Sequence, residues 1–319
     1  MEKERRPGSG GALQKRGIPW KRNLRLARQN WALYVMLLPA VVMIITFSYV
    51  PMYGIQIAFR DFNFADGILG SKWTGLKWFR YLFRSAQFWP IVRNTLVISF
   101  YSLLTFPIPI IFALILHNIS NMRFKRITQT ITYLPHFISV VVVVGMIYTF
   151  TSYNSGWINT VIEALGGKRI NFMAEPGLYS HIYVWTGVWQ EVGWSAIIYM
   201  AALTNSDPEL HEAAMIDGAN KLQRIIHVDL PAILSTVLIM LILRCGSIMS
   251  VGFDKSFLMQ NNMNLSVSEV ISTYSYKMGL QNSKYSFSTA VSLFNNVINF
   301  TFLTVVNSVT KKISGSGLW

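Results

Sequence analysis

Long apolar stretches constrain this chain more than any other feature of its sequence. A helix of about 20 apolar residues crosses the ~30 Å hydrocarbon core of a bilayer. Only 13% of the residues are charged, whereas soluble domains average about 25%. The sequence therefore predicts an all-α membrane protein with one membrane domain over residues 32–310. Its six predicted transmembrane helices lie near residues 32–57, 92–117, 127–150, 181–203, 231–252 and 286–310.

The basic residues predict the orientation of these helices. An even number of spans places both termini on one side of the membrane, and cytoplasmic segments carry an excess of lysine and arginine. With the N-terminus inside, the inner segments hold 16 of these residues and the longer outer loops hold 10. Residues 1–31 are then a basic cytoplasmic tail, and residues 311–319 are a second cytoplasmic tail. The first apolar stretch lacks a clear cleavage site, which favours a retained helix over a signal peptide.

The formal net charge of +14 does not indicate nucleic-acid binding. Nine lysines and arginines precede the first span, where they would face anionic lipid headgroups. No DNA- or RNA-binding motif accompanies them. The single cysteine, Cys245, lies in an apolar stretch and is interpreted as a small buried side chain.

A polar inner segment, residues 204–230, separates the fourth and fifth predicted spans. Asp207 followed by Pro208 is typical of a helix start, and Ser206 with Glu209 resembles a capping box. A short helix is expected over residues 208–217, ending near Gly218. Its small residues would let another backbone approach closely. A solvated hairpin that merely joins two spans is the alternative interpretation.

The same segment contains a motif with fixed spacing. The stretch EAAMIDGANKLQRIIHVDLP, from Glu212 to Pro231, resembles the EAA signature of ABC-importer permeases. Further stretches are similar to carbohydrate permeases for complex oligosaccharides, including alginate and pectic fragments. They are YVPMYGIQIAFRDFN (49–63), KRITQTITYLPHFIS (125–139), GFDKSFLMQN (252–261) and SEVISTYSYKMGL (268–280).

The resemblance implies an ABC type I importer permease fold in a bacterial cytoplasmic membrane. The EAA helices would dock in a groove of a cytoplasmic ATPase, with Glu212 as the charged contact and Gly218 as the turn. The implied partners are a second, similar permease that makes a heterodimer, two ATPase subunits and an external sugar-binding protein. The expected ATPase-coupling residues are Glu212, Ala213, Ala214, Asp217, Gly218, Leu230 and Pro231.

Enzymatic chemistry is not predicted for this chain. It lacks the phosphate-binding loop G-x-x-x-x-G-K-[ST], so ATP and magnesium are expected on the partner ATPase and no cofactor is expected here. The five histidines are far apart in sequence, and their spacing predicts no metal site. No nucleophile and base pair is recognisable.

Polar side chains within the later spans indicate a translocation cavity. Ionisable and amide groups inside a membrane helix usually face the bundle interior or a wet cavity. At ~1.5 Å per residue, those of spans four to six would share a layer near the bilayer midplane, where they could bind sugar hydroxyls or carboxylates. The expected cavity residues are Gln190, Glu191, Arg244, Asn295, Asn296 and Asn299, with Trp189, Trp185 or Trp194 stacking on a sugar ring.

A structural role for these groups remains open at this point. Glu191 and Arg244 could form a buried ion pair, and the asparagines could join neighbouring helices. A secondary transporter is the main functional alternative, although Glu191 is the one clear acid within the spans. An ABC permease for a solute other than a sugar is another. An anionic sugar would suit Arg244.

Overall fold

A computed structural model describes residues 28–315 and 317–319. The tail prediction for residues 1–31 therefore falls mostly outside the described residues. The chain divides into two compact units, residues up to Ile55 and Gln56–Trp319. In the first unit the described residues are almost entirely helical, with α1 over Trp31–Ile44 followed by a π-helical turn, Ile45–Tyr49.

The second unit is mostly helical. A 3₁₀ helix, Val50–Phe59, leads into it, and two short strands, β1 (Arg60–Asp61) and β2 (Lys72–Trp73), pair antiparallel. The helices are α2 Gly67–Gly70, α3 Lys77–Arg84, α4 Phe88–Leu104, α5 Pro107–His117, α6 Met122–Tyr133, α7 Val140–Thr151, α8 Trp157–Ala164, α9 Pro176–Leu203, α10 Pro208–Ile216, α11 Lys221–Arg224, α12 Leu230–Cys245, α13 Phe253–Met259, α14 Leu265–Ser268, α15 Ile271–Tyr276 and α16 Tyr285–Ser314.

Four helical segments of the described chain are long and apolar enough to cross a membrane. They are Trp31–Phe59, Phe88–His117, Lys221–Cys245 and Tyr285–Ser314. A bent pair of helices would supply a fifth. Helix α9 has the length, at 28 residues, but Gln190 and Glu191 lower its hydropathy.

The predicted third span, residues 127–150, is not one helix. Met122–Phe137 and Val140–Thr151 meet at an angle of 99°. The first segment ends in a 3₁₀ turn that contains Pro135, which has no N–H to continue a helix. The second segment starts afresh, because the Ser139 side chain accepts a hydrogen bond from the N–H of Val142.

The predicted fifth span, residues 231–252, is also displaced. Its helix begins at Lys221, passes through a π-helical turn at Ile225–Asp229 and ends at Cys245. The π turn adds one residue to a helical turn without stopping the helix. Pro231 lies in the first turn of α12, so it belongs to a helix that has already begun.

Helix α9 is the element around which the second unit is assembled. It contacts α4, α5, α6, α12, α14 and the 3₁₀ turn before α7. Of the three apolar core clusters among the described residues, two include its side chains, for example Tyr179 in one and Tyr199 in the other. Burial of these apolar surfaces fixes α9 relative to its neighbours.

The contact between α9 and α6 depends on a glycine. A Cβ added at Gly193 would overlap the carbonyl oxygen of Thr132, so no larger residue permits this approach. Three residues earlier in α9, Gln190 donates a hydrogen bond from Nε2 to the carbonyl oxygen of Ile138 at 2.9 Å. Together these contacts attach α9 to the bend between α6 and α7.

We expect Gly193→Ala to destabilise the purified protein by about 1–3 kcal/mol, the usual cost of overpacking a tight site. Thermal unfolding in detergent measures this change. Gly145→Ala in α7 is the matched control, because nothing lies within 4 Å of a Cβ added there and alanine favours a helix over glycine. Equal stability of the two variants would contradict the close approach of α6 and α9.

Candidate functional site: a charged cavity and an exposed polar loop

A cavity of about 810 Å³ lies between α4–α5, α9, α12 and α13. Three predicted residues, Gln190, Glu191 and Arg244, line it, and so does Trp194. Helix α9 presents the first two and Trp194, while Arg244 comes from the last turn of α12. A smaller pocket of about 130 Å³ adjoins it and shares Arg244 and Tyr183.

Glu191 and Arg244 do not form the ion pair that the sequence left open. Oε2 of Glu191 lies 3.0 Å from Nδ1 of His136, a residue of the 3₁₀ turn before α7. The His136 ring also stacks on Trp194, with ring centroids 4.2 Å apart and planes 3° from parallel. Among the described residues, Arg244 has no carboxylate within ion-pair distance.

The sequence interpretation missed Lys255, which gives the cavity a second cation. Lys255 belongs to α13 and is 9% exposed. Its ammonium donates a hydrogen bond to the carbonyl oxygen of Tyr183 at 2.8 Å and lies 4.8 Å from the centre of that ring. A lysine between Asp254 and Phe257 in a predicted outer loop gave no signal of burial, although it lies within the stretch GFDKSFLMQN.

Burial lowers the pKa of the Lys255 ammonium to about 8, and the nearby Glu191 carboxylate opposes part of this decrease. Lys255 therefore stays mostly protonated at neutral pH and loses its charge as the pH rises through 8. The cavity lining thus sets two basic side chains, Arg244 and Lys255, against one acidic side chain, Glu191. Such a surface suits an anionic solute.

The three asparagines of α16 are not in the cavity lining. Asn299 is buried; its Oδ1 accepts a hydrogen bond from the N–H of Met249 at 2.8 Å, and its amide donates to Ser250 Oγ at 2.9 Å. It therefore has the structural role that the sequence left open, joining α16 to the segment after α12. Asn296 is exposed, and Oδ1 of Asn295 is shielded from solvent with no hydrogen-bond partner among the described residues.

The three predicted tryptophans differ in whether they line the cavity. All three side chains are about half-exposed. Trp194 lines the cavity, whereas Trp189 and Trp185 lie outside its lining. The indole N–H of Trp185 donates to the hydroxyl of Tyr101 at 2.9 Å. Helical periodicity explains the division, because residues 185, 189 and 194 do not share one face of α9.

The polar segment after α9 folds as predicted, as a short helix that stops at a glycine. The Asp207 side chain accepts a hydrogen bond from the N–H of Glu209 at 2.9 Å and caps α10. The predicted capping box between Ser206 and Glu209 is therefore wrong. At the other end Gly218 has a φ of +79°. The N–H of Ala219 then bonds the carbonyl oxygen of Ala214 at 2.9 Å, as in a left-handed helix cap.

Helix α10 exposes apolar side chains as well as the predicted coupling residues. Ile216 is 86% exposed, and Leu210 and Met215 are also exposed. A concave surface that encloses about 290 Å³ lies next to the C-terminal end of the helix. Its lining includes Ala214, Asp217, Gly218, Ala219, Gln223, Arg224, His227 and Val228. Of the other predicted coupling residues, Glu212 and Ala213 are exposed, whereas Leu230 and Pro231 lie at the start of α12.

A helical membrane fold with a charged internal cavity defines this chain as a membrane transport protein. The model of the family described as "Binding-protein-dependent transport system inner membrane component" matches residues 105–315. The chain belongs to this family, whose members are ABC transporter permeases.

Two relatives from Bacillus subtilis and one solved structure show the similarity. The chain is 40% identical to the polygalacturonan/rhamnogalacturonan transport system permease protein YteP of Bacillus subtilis, covering 93% of this chain and 92% of YteP. It is 38% identical to protein LplB of the same organism, covering 95% of each. A bacterial alginate ABC transporter, crystallised in complex with an alginate pentasaccharide-bound periplasmic protein, has a chain of 36% identity and a TM-score of 0.85, covering 93% of this chain and 100% of that one.

We expect Asn299→Leu to destabilise the protein by about 1–3 kcal/mol, because it leaves the buried N–H of Met249 without an acceptor. Asn296→Leu, one turn away on the exposed side of α16, should change stability little. Thermal unfolding of the two variants separates these outcomes. If Asn299→Leu unfolded like the wild type while impairing transport, a role in the cavity would replace the structural one.

Proposed function

We propose that this chain is a permease subunit of an ATP-driven importer for acidic oligosaccharides delivered by an external binding protein. The positively charged cavity carries this proposal. Arg244 and Lys255 line one space, and only Glu191 opposes them among its charged lining residues. The relatives support it as well, since the names of two of them specify polygalacturonan and alginate.

The membrane arrangement is part of the proposal. We infer six spans with both termini in the cytoplasm, of which α9 is the least apolar. The excess of lysine and arginine in the inner segments supports this orientation. It places α10 and the concave surface beside it in the cytoplasm, and the loops that include α8 and α14 outside.

We infer that α10 is the coupling helix that docks on a partner ATPase. The sequence contains no phosphate-binding loop of the G-x-x-x-x-G-K-[ST] type. We therefore assign ATP hydrolysis to another subunit. Exposed Ile216, Met215 and Leu210 provide apolar contact area, and Glu212 provides a charge. The left-handed conformation of Gly218 turns the chain back toward the membrane at the edge of this surface.

In this arrangement a second permease, two ATPase subunits and the binding protein complete the importer. Binding of ATP on the partner subunits would move α10, and this motion would open the cavity to the outside. The role of this chain is to hold the sugar and to transmit the motion. Uronate carboxylates would accept charge-assisted hydrogen bonds from the Arg244 guanidinium and the Lys255 ammonium.

The first test is ATPase stimulation in the reconstituted complex with its binding protein. Uronate oligosaccharides should stimulate, and neutral oligosaccharides of equal length should not. Arg244→Gln and Lys255→Gln should each weaken the response about tenfold or more, the equivalent of one lost hydrogen bond to a charged group. As the pH rises through 8, the wild type should lose part of the response and Lys255→Gln should not show that loss.

Two outcomes would count against the substrate. Stimulation by neutral sugars alone would move the chain to another sugar class. Stimulation by uronates that both glutamine variants retain would show that these cations do not bind the substrate. Glu191→Gln is the matched variant of opposite sign, and it should not weaken uronate stimulation.

Coupling is tested at Gly218. Gly218→Asp should abolish ATP-driven uptake while the chain still inserts in the membrane, since a φ of +79° is unfavourable for a side chain. Gly166→Asp is the matched control, because Gly166 has a φ of +84° and open space around it, and the proposed orientation places its loop outside the cell. Normal uptake by the Gly218 variant would refute the assignment of the coupling helix.

A further inference from the structure

Three residues that are distant in sequence converge where α10 meets the membrane helices. His117 is the last residue of α5, His211 lies in α10, and Asp229 ends the π turn that precedes α12. One donor atom from each lies within 4.8 Å of the other two. The spacing of the histidines gave no indication of this cluster, because three separate elements bring it together.

The carboxylate of Asp229 is fully buried. Nδ2 of Asn118 donates to its Oδ2 at 2.8 Å, and Nε2 of His211 donates to its Oδ1 at 2.9 Å. Within the described part of the chain, no lysine or arginine pairs with it. A buried carboxylate is costly unless a positive charge compensates it, and here that task is left to imidazoles or to a bound cation.

The neighbouring imidazole of His117 is incompletely bonded. Its Nδ1 is shielded from solvent and has no hydrogen-bond partner among the described residues. Buried polar groups without partners are uncommon in folded proteins, and an unplaced ion is one of their explanations. The cluster therefore combines a buried carboxylate, which no described lysine or arginine pairs with, and an imidazole nitrogen without a partner.

We propose that His117, His211 and Asp229 bind a divalent transition-metal ion, with Zn²⁺ as the best match. Two histidines and a carboxylate, with water in the fourth position, form a common zinc ligand set. Imidazole ligands disfavour Mg²⁺ and Ca²⁺, which prefer oxygen. Zinc–nitrogen bonds of about 2.0–2.1 Å place tetrahedral ligands about 3.3 Å apart, so binding draws the most distant pair together and replaces the hydrogen bond of His211 to Asp229.

The location gives the ion a mechanical consequence. It would tie α10 to the end of α5 and to the start of α12. The helix that carries Glu212 and Ile216 would then be held against two membrane helices. If α10 is the coupling helix, as proposed above, bound metal slows its movement and lowers the ATPase activity, and a chelator restores it.

Metal binding is measured first, without nucleotide or sugar. The purified complex is stripped with a chelator and titrated with Zn²⁺ in equilibrium dialysis, and with Co²⁺ as a probe whose visible absorption reports tetrahedral coordination. We expect His211→Gln and Asp229→Asn each to bind one ion fewer per chain than the wild type, with binding at that site weakened more than tenfold. His117→Gln should weaken the same site.

His227→Gln is the matched control. His227 belongs to the same segment, residues 204–230, and lies in the π turn. Its Nδ1 is 2.9 Å from the carbonyl oxygen of Gln223, one turn earlier in the same helix, and it is not a member of the cluster. This variant should bind as many ions as the wild type. Co-purification of the ATPase shows that a variant is assembled; if Asp229→Asn does not assemble, the two histidine variants carry the test.

The proposal is overturned if the wild type binds no ion that these substitutions remove, or if the His227 control loses the same ion. Such a result leaves the importer function untouched, since neither sugar nor ATP enters the measurement. Conversely, an ion that binds at the cluster while uronates fail to stimulate the ATPase would keep the metal site and remove the proposed substrate.

Discussion

The attachment of α9 to the bend between α6 and α7 is the interaction on which the second unit depends. Gly193 allows α9 to approach the Thr132 carbonyl, and Gln190 donates to a backbone oxygen that the bend leaves exposed. An unpaired backbone carbonyl within a membrane would destabilise the fold by several kcal/mol. The Gln190 amide removes this cost because it supplies the hydrogen bond that the bend takes away. From this contact α9 extends between the cavity on one side and the apolar core on the other.

Two polar residues of α9 consequently line the cavity and also bind the bend between α6 and α7. Gln190 both lines the cavity and satisfies the bend, while Glu191 faces the cavity and pairs with His136. The stacked His136 and Trp194 rings then join the bend to the cavity wall. Movement of α6 relative to α7 would therefore shift His136 and, with it, the Glu191 carboxylate that it contacts. This geometry links the cavity lining to the bend between α6 and α7.

Sequence patterns predicted what depends on local chemistry. The helix over residues 208–217, its aspartate cap and its glycine stop follow from short-range rules. Gln190 and Glu191 of α9 line a cavity, and their contact with a substrate stays a prediction. The bend in the third span was missed because Pro135 marks a break without giving an angle. Lys255 was missed, and the partners of Asn299 were not predicted, because distant elements set the burial and the partners of a side chain, as the hydrogen bond from Met249 to Asn299 shows.

The π turn at Ile225–Asp229 has a consequence for the register of the whole helix after it. Such a turn holds one residue more than an α-helical turn, and each residue of a helix rotates its successors by about 100°. Deleting that one residue would keep α12 helical and equally apolar. It would nevertheless rotate Arg244 by about 100° away from the cavity, leaving Lys255 and Glu191 as the described charged residues of its lining. The net positive charge of the cavity therefore depends on one extra residue in a turn at the other end of the same helix.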